Sequence, residues 1–220
     1  VDSAEVTMES MRKPEAGSLW RGTSLPARDA ARREKLLAAG LELFGTVGYP
    51  ATTVQGLCRE AGVSSRSFYD CFQGREDVLR ALYIQATEQM RSQVAGLSVN
   101  DSASVSDLLR RGVLAGVGGM LEDERLGRVC EIEAVGVSPG LESCRREQNA
   151  GIAAAIEDLL AESMRRGLIP FFDTTLVGLM VVGGMSEVLL AHLSMPEDQR
   201  RSGEELVVAM ARVIGLMIAS

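Results

Sequence analysis

Aromatic side chains are scarce in this sequence: one Trp, three Tyr and five Phe make up 4% of its 220 residues. Pleated sheets favour such residues, and no segment sustains a period-two alternation of apolar and polar positions, which argues against a β-sandwich. Histidine is scarcer still, with His192 alone. The four cysteines, Cys58, Cys71, Cys130 and Cys144, contain no C-x-x-C pair. A zinc site of the usual Cys/His kind needs tighter clustering, so no metal and no other cofactor is expected, and the thiols read as reduced. The opening residues lack the basic-then-apolar order of a secretory leader. The longest apolar stretch, Leu176 to Met185, is too short to span a bilayer and is followed by Glu187. These absences lead to the expectation of a cytoplasmic protein with no membrane contact.

What is present is helical in character. Apolar residues make up 46% of the chain, and Ala, Leu, Val, Met and Gly dominate, a mixture suited to helices packed closely on small residues. The net charge of −7 argues against wholesale nucleic-acid binding. That charge is uneven, however. Residues 21–80 carry nine Lys/Arg against seven Asp/Glu, whereas residues 81–220 carry twelve against nineteen. A local basic patch, not net charge, sets an electrostatic footprint on DNA.

Periodicity divides the chain. Residues 1–24 are polar and aperiodic, with Pro14, Gly17 and Gly22, and read as a tail. Leu37, Leu41 and Phe44 form one face of a first helix from about Ala27, ended by Gly45 and Gly48. Thr52 and Thr53 precede the face Val54, Leu57, Cys58 and Ala61 of a second. Gly62 breaks it, a short third helix follows from Ser64 or Ser65 to Cys71, and a fourth starts at Arg75-Glu76-Asp77. Further helical segments lie near 105–121, 124–136, 140–166, 173–193 and 202–219, punctuated by Pro139, Gly167 to Pro170 and Met195-Pro196. The expected fold is all-α: residues 25–75 as a three-helix DNA-binding unit, then residues 76–220 as a helical bundle for ligand binding and dimerisation.

A helix, a tight turn at Gly62 and a short second helix make up a helix-turn-helix. Val63, Phe68 and Phe72 anchor the second helix from behind. Ser64, Ser65, Arg66, Ser67, Tyr69 and Asp70 are left mostly outward. Short hydroxyls can approach a major groove closely, and Arg can read guanine bidentately. Arg21, Arg28, Arg32 and Arg33 before and at the first helix read either as a solvated basic segment or as an arm on phosphate or minor groove.

The run Arg33 to Phe44, then Gly48-Tyr49-Pro50-Ala51-Thr52-Thr53-Val54, Ala61-Gly62-Val63-Ser64, Phe68-Tyr69 and Phe72 resembles the N-terminal domain of the TetR family of repressors, with matching spacing over about residues 28–82. The resemblance implies a dimeric regulator that binds operator DNA and a small-molecule effector. It implies that Thr52 and Thr53 meet phosphate at the start of the second helix, that Tyr69 bonds the DNA backbone, and that Arg75 stands where the family usually has a phosphate-facing lysine. Asp70 and Cys71 depart from the family's pattern. A carboxylate there either accepts from cytosine N4 or turns away toward Arg66 or Arg75. Beyond residue 83 the similarity lies in helix number and length, with Gly167-Leu168-Ile169-Pro170 and Asp173 similar to the family's lead into its last two helices.

Polar groups within the apolar bundle are candidates for a ligand cavity: Cys130, Glu131 and Glu133 in one segment, Gln148, Asn149 and Ile152 in the next, and Met180 beyond. The last two helices are apolar on most faces and must be buried, which predicts a homodimer through them. Glu187 and Arg212 are charges in that region. Two other functions are weighed. Gly136-Val137-Ser138-Pro139-Gly140 matches the G-x-S-x-G of a small hydrolase, with Asp173 and His192 following in hydrolase order. The motif needs a strand before its serine and a backbone N–H after it, and Pro139 has none. A redox sensor would need an accessible, electropositive thiol, for which Cys71 near Arg75 is the better placed. The sequence therefore points to a regulator and not an enzyme.

Overall fold

A computed structural model describes residues 25–218, so the expected tail at 1–24 lies outside the described residues. Every regular element among the described residues is helical. In order they are α1 (Leu25–Thr46), α2 (Val54–Ala61), α3 (Ser65–Tyr69), α4 (Arg75–Ala95), α5 (Val105–Glu122), α6 (Glu124–Arg128), α7 (Pro139–Arg165), α8 (Thr174–Ser194) and α9 (Gly203–Ile218). A π-helical turn, Val129–Glu133, continues α6, and short 3-10 turns lie at Val99–Asp101 and Glu197–Gln199.

Helix ends follow local chemistry. Ser138, Asp173, Ser104 and Thr53 cap α7, α8, α5 and α2 by accepting the orphan N–H groups of Leu141, Leu176, Asp107 and Gly56. α1 starts earlier than its apolar face suggested. Arg28, Arg32 and Arg33 therefore sit on a helix, in a stretch of good helix formers entered through Pro26. Arg33 stacks on Phe72 at 4.4 Å, and Arg32 pairs with Asp29. The segment expected as one helix over 124–136 is instead α6 and the π turn.

The first three helices and the start of α4 close on Leu36, Phe44, Leu57, Phe68, Phe72, Val78 and Leu79, all buried. The same core runs on into the bundle of α4–α9 through Leu82, Ala86, Val117, Val129 and Leu189. Close packing relies on small residues: a Cβ at Gly178 of α8 would lie 2.9 Å from the Ala153 carbonyl oxygen of α7.

α8 corrects the sequence reading that no segment could span a bilayer. As a helix it is 21 residues long with mean hydropathy 1.8, long and apolar enough by length and composition. Yet one of its faces packs on α7 and the π turn, while Leu176, Leu179, Met180 and Val188 point outward. α9 does likewise with Val208 and Val213.

Candidate DNA-binding face and bundle cavity

α2 and α3 are set by two capped ends and one turn. Gly62 takes φ +64°, a left-handed conformation that lets the chain reverse after α2, and its N–H bonds the Arg59 carbonyl. Ser64 then caps α3, accepting from the Ser67 N–H at 3.2 Å, and the two hydroxyls lie 3.0 Å apart. Phe68 is fully buried and Phe72 nearly so, which turns Ser65, Arg66 and Tyr69 outward. Tyr69 is 61% exposed and held edge-on by Phe68. Ser64, Ser65, Arg66, Ser67 and Tyr69 thus share one small surface. Asp70 joins it at the end of α3 and makes no ion pair among the described residues.

Two residues expected on that surface face elsewhere. Thr52 is buried, and its hydroxyl donates to the Gly48 carbonyl at 2.8 Å. Arg75 stacks on Tyr49 at 4.4 Å and donates through Nη1 to the carbonyls of Tyr49, Pro50 and Thr52 at 2.9, 3.2 and 2.7 Å. It braces the α1–α2 loop from inside. Thr53 is exposed, with its oxygen accepting from Gly56.

Between α4, α5, α7, α8, α9 and the π turn lies a cavity of about 100 Å³. Its wall is mainly apolar: Met90, Val94, Leu108, Val113, Ile156, Leu160, Val181 and Leu189 among others. The polar groups on it are Tyr83, Thr87, Cys130, Glu131, Asn149, Ser163 and Ser186. Tyr83 donates to Asn149 Oδ1 at 3.1 Å, and burial holds its phenol well above the usual range. Ser186 of α8 donates to Glu131, whose carboxyl is pushed up by burial, an effect opposed by that hydrogen bond and by the charge of Arg145. Of the residues singled out from sequence, Cys130, Glu131, Asn149 and Ile152 stand on this wall. Gln148 stands behind it, accepting from Thr87 at 3.1 Å, and Met180 is 54% exposed on the outer face of α8. Glu131, two positions from Glu133, holds the place on the wall that Glu133 does not.

Glu133 lies instead at the seam with the first domain. Its Oε2 accepts from the Tyr49 N–H at 2.7 Å, and Arg128 approaches Oε1 at 3.5 Å. Arg125 adds a bond to Glu42 at 2.6 Å, and a Cβ at Gly45 would come within 2.7 Å of the Arg125 backbone. Gly48, at φ +93°, bends the loop over Glu133.

The hydrolase reading finds no assembled site. Ser138 caps α7 and donates to Glu76 at 2.6 Å, while Asp173 and His192 stand at opposite ends of α8, about 28 Å apart along its axis. Cys58 and Cys130 are buried, and burial pushes the Cys130 and Cys144 thiols up, away from reactive thiolate.

An exposed, capped α3 crossing α2 over a buried Phe pair defines a helix-turn-helix protein. Residues 36–82 match the model of bacterial regulatory proteins of the tetR family. The match covers the helix-turn-helix region, and the fold of the chain is similar to solved regulators of this family along most of its length. The fatty acid degradation regulator FadR of Bacillus halodurans is similar with 23% identity and TM-score 0.70, over 83% of this chain and 94% of that one. FadR of Bacillus subtilis, solved in complex with stearoyl-CoA, gives 20% identity and TM-score 0.71 over 85% and 97%. A TetR-family regulator structure from Syntrophomonas wolfei gives 15% and 0.72 over 86% and 95%. No curated protein matches the chain by sequence.

Proposed function

We propose that this regulator is a cytoplasmic homodimeric repressor, without catalytic activity, released from its operator by a small apolar or amphipathic ligand. Residues 25–75 form the reading head, residues 76–220 the effector and dimerisation domain. One observation carries this reading: α4 runs unbroken from the head, where Arg75 holds the α1–α2 loop, to the cavity wall, where it contributes Tyr83, Thr87, Met90 and Val94. A ligand that prefers one position of α4 thereby shifts the spacing of two paired heads, and that differential affinity is what release requires. The π turn offers a second link, since Glu131 reaches the cavity and Glu133 the head. α8 and α9 supply the dimer surface, through the apolar residues that each protomer leaves outward. Ser64, Ser65, Arg66, Ser67 and Tyr69 read or grip DNA; Thr53 meets phosphate at the start of α2.

The likeness to FadR raises an acyl chain as one occupant. The mainly apolar wall suits an apolar or amphipathic occupant, with Glu131 as its single acidic point. The test is footprinting on the protein's own upstream DNA beside a random duplex at physiological salt. A protected palindrome is expected; equal affinity for both duplexes would refute the regulator reading. In the same assay Arg66→Ala should cost about 1–3 kcal/mol on the operator and relax preference at one base position. Equal losses on every sequence would remove Arg66 as a base reader.

A further inference from the structure

The bundle cavity has a chemical polarity of its own. Glu131 is the one carboxyl on its wall, and no Lys, Arg or His among the described residues lines it. The remaining polar wall groups are neutral, and several are already engaged: the Tyr83 hydroxyl with Asn149, Thr87 with Gln148 and backbone carbonyls, and Ser163 with the Leu159 carbonyl. Glu131 accepts one hydrogen bond, at Oε2 from Ser186, and Oε1 has no hydrogen-bond partner among the described residues. An acceptor with spare capacity in an apolar pocket is a recognition point, because a ligand lacking a donor leaves it unsatisfied.

We propose that Glu131 selects the effector: the cavity takes a mainly apolar molecule whose single polar head donates a hydrogen bond to Glu131 Oε1, a protonated amine or a hydroxyl, and it rejects anionic heads. This rests on the reading of the cavity as the effector site. An anion would lose its hydration, meet no cation on the wall and lie against the only acid. Arg145 does not relieve this. It acts on Glu131 from behind the wall, where it lies over the Tyr83 ring and pairs with Glu142. A protonated amine gains the most, since its charge and that of Glu131 neutralise each other out of water.

Calorimetry on the full-length protein with three probes of matched size, benzylamine, benzyl alcohol and benzoate, tests this. Benzylamine and benzyl alcohol should bind, with benzoate at least about tenfold weaker. Glu131→Gln keeps shape and one acceptor. It should weaken benzylamine about tenfold or more, change benzyl alcohol less than about threefold, and narrow the gap to benzoate. Benzoate binding as tightly as benzylamine, benzylamine unaffected by Glu131→Gln, or no probe binding would each overturn the assignment. Operator footprinting of the same samples separates the two proposals. Loss of the footprint without any probe removes the regulator reading, while the calorimetry decides the chemistry of the cavity independently.

Discussion

At the scale of single residues, the same side-chain type does different work according to what surrounds it. Arg66 and Arg75 are both cations of the helix-turn-helix region. Arg66 is free on the outer face of α3, whereas Arg75 has three carbonyls and a tyrosine ring to satisfy it. Arg75→Ala should therefore act on stability. Three backbone carbonyls lose a charged donor and Tyr49 loses its stacking partner, a loss of about 1–3 kcal/mol that thermal unfolding without DNA detects. An unchanged unfolding temperature with weakened DNA binding would restore the phosphate role. Glu131 is a different case, a carboxyl raised by burial. Its folded-state value lies above that of the unfolded chain, so both states are neutral at low pH and no cost arises there. As pH climbs past the ordinary carboxyl value of 4.5, the unfolded chain ionises first and stability is lost until the folded carboxyl ionises too. Glu131→Gln removes this slope. The variant should match the wild type in acid and exceed it in unfolding temperature at neutral pH. A parallel pair of stability–pH curves would show that Glu131 is not desolvated.

At the scale of elements, the π turn decides what each of its acids can touch. Residues two apart on a helical turn face different sides, and here one side is the cavity and the other is the reading head. Glu133 is nearly buried at the seam, with its side chain 9% exposed. Glu133→Ala leaves the Tyr49 N–H without its acceptor and should cost about 1–3 kcal/mol, with faster hydrogen exchange at that amide. Glu133→Gln keeps an acceptor and should retain most of the protection. Equal protection at Tyr49 in both variants would mean that the seam does not depend on this bond. The same turn marks where sequence reading stops. Thr53, Gly62, Ser64 and the start of α4 were legible because capping and left-handed turns are local chemistry. The apolar faces of α2 and α9 were legible because period 3.6 is a local pattern. The break in 124–136 was not, because a π turn is held by its neighbours in space. Both acids of that segment are visible in the sequence, but which of them faces the cavity depends on the π turn. Thr52 and Arg75 were misplaced for a related reason: their motif positions are visible in the sequence, but the carbonyls they bond are brought to them only when the α1–α2 loop closes.

At the scale of the whole molecule, the proposed dimer covers the outward apolar faces of α8 and α9, and two charges near the middle of those helices make it testable. Glu187 and Arg212 are exposed and make no ion pair with each other within the protomer. Lipid would strand both, and it could not surround α8, which is already packed along one side against α7. A second copy resolves the problem by symmetry. In an isologous interface a contact from one residue to another occurs twice, so Glu187 of each protomer can meet Arg212 of its partner while the apolar side chains pack between the pairs. The arrangement predicts a charge-swap result. Glu187→Arg places like charges opposite each other at two positions, as does Arg212→Glu, and each should weaken the dimer at least about tenfold by sedimentation. The doubly reversed protein restores opposite signs at both positions and should recover most of the lost association. Its operator binding should return in parallel, because two reading heads on successive major-groove faces require the pair. Single variants that sediment as the wild type does would place the two residues outside the interface. A double variant weaker than either single one would show that they lie within it without meeting.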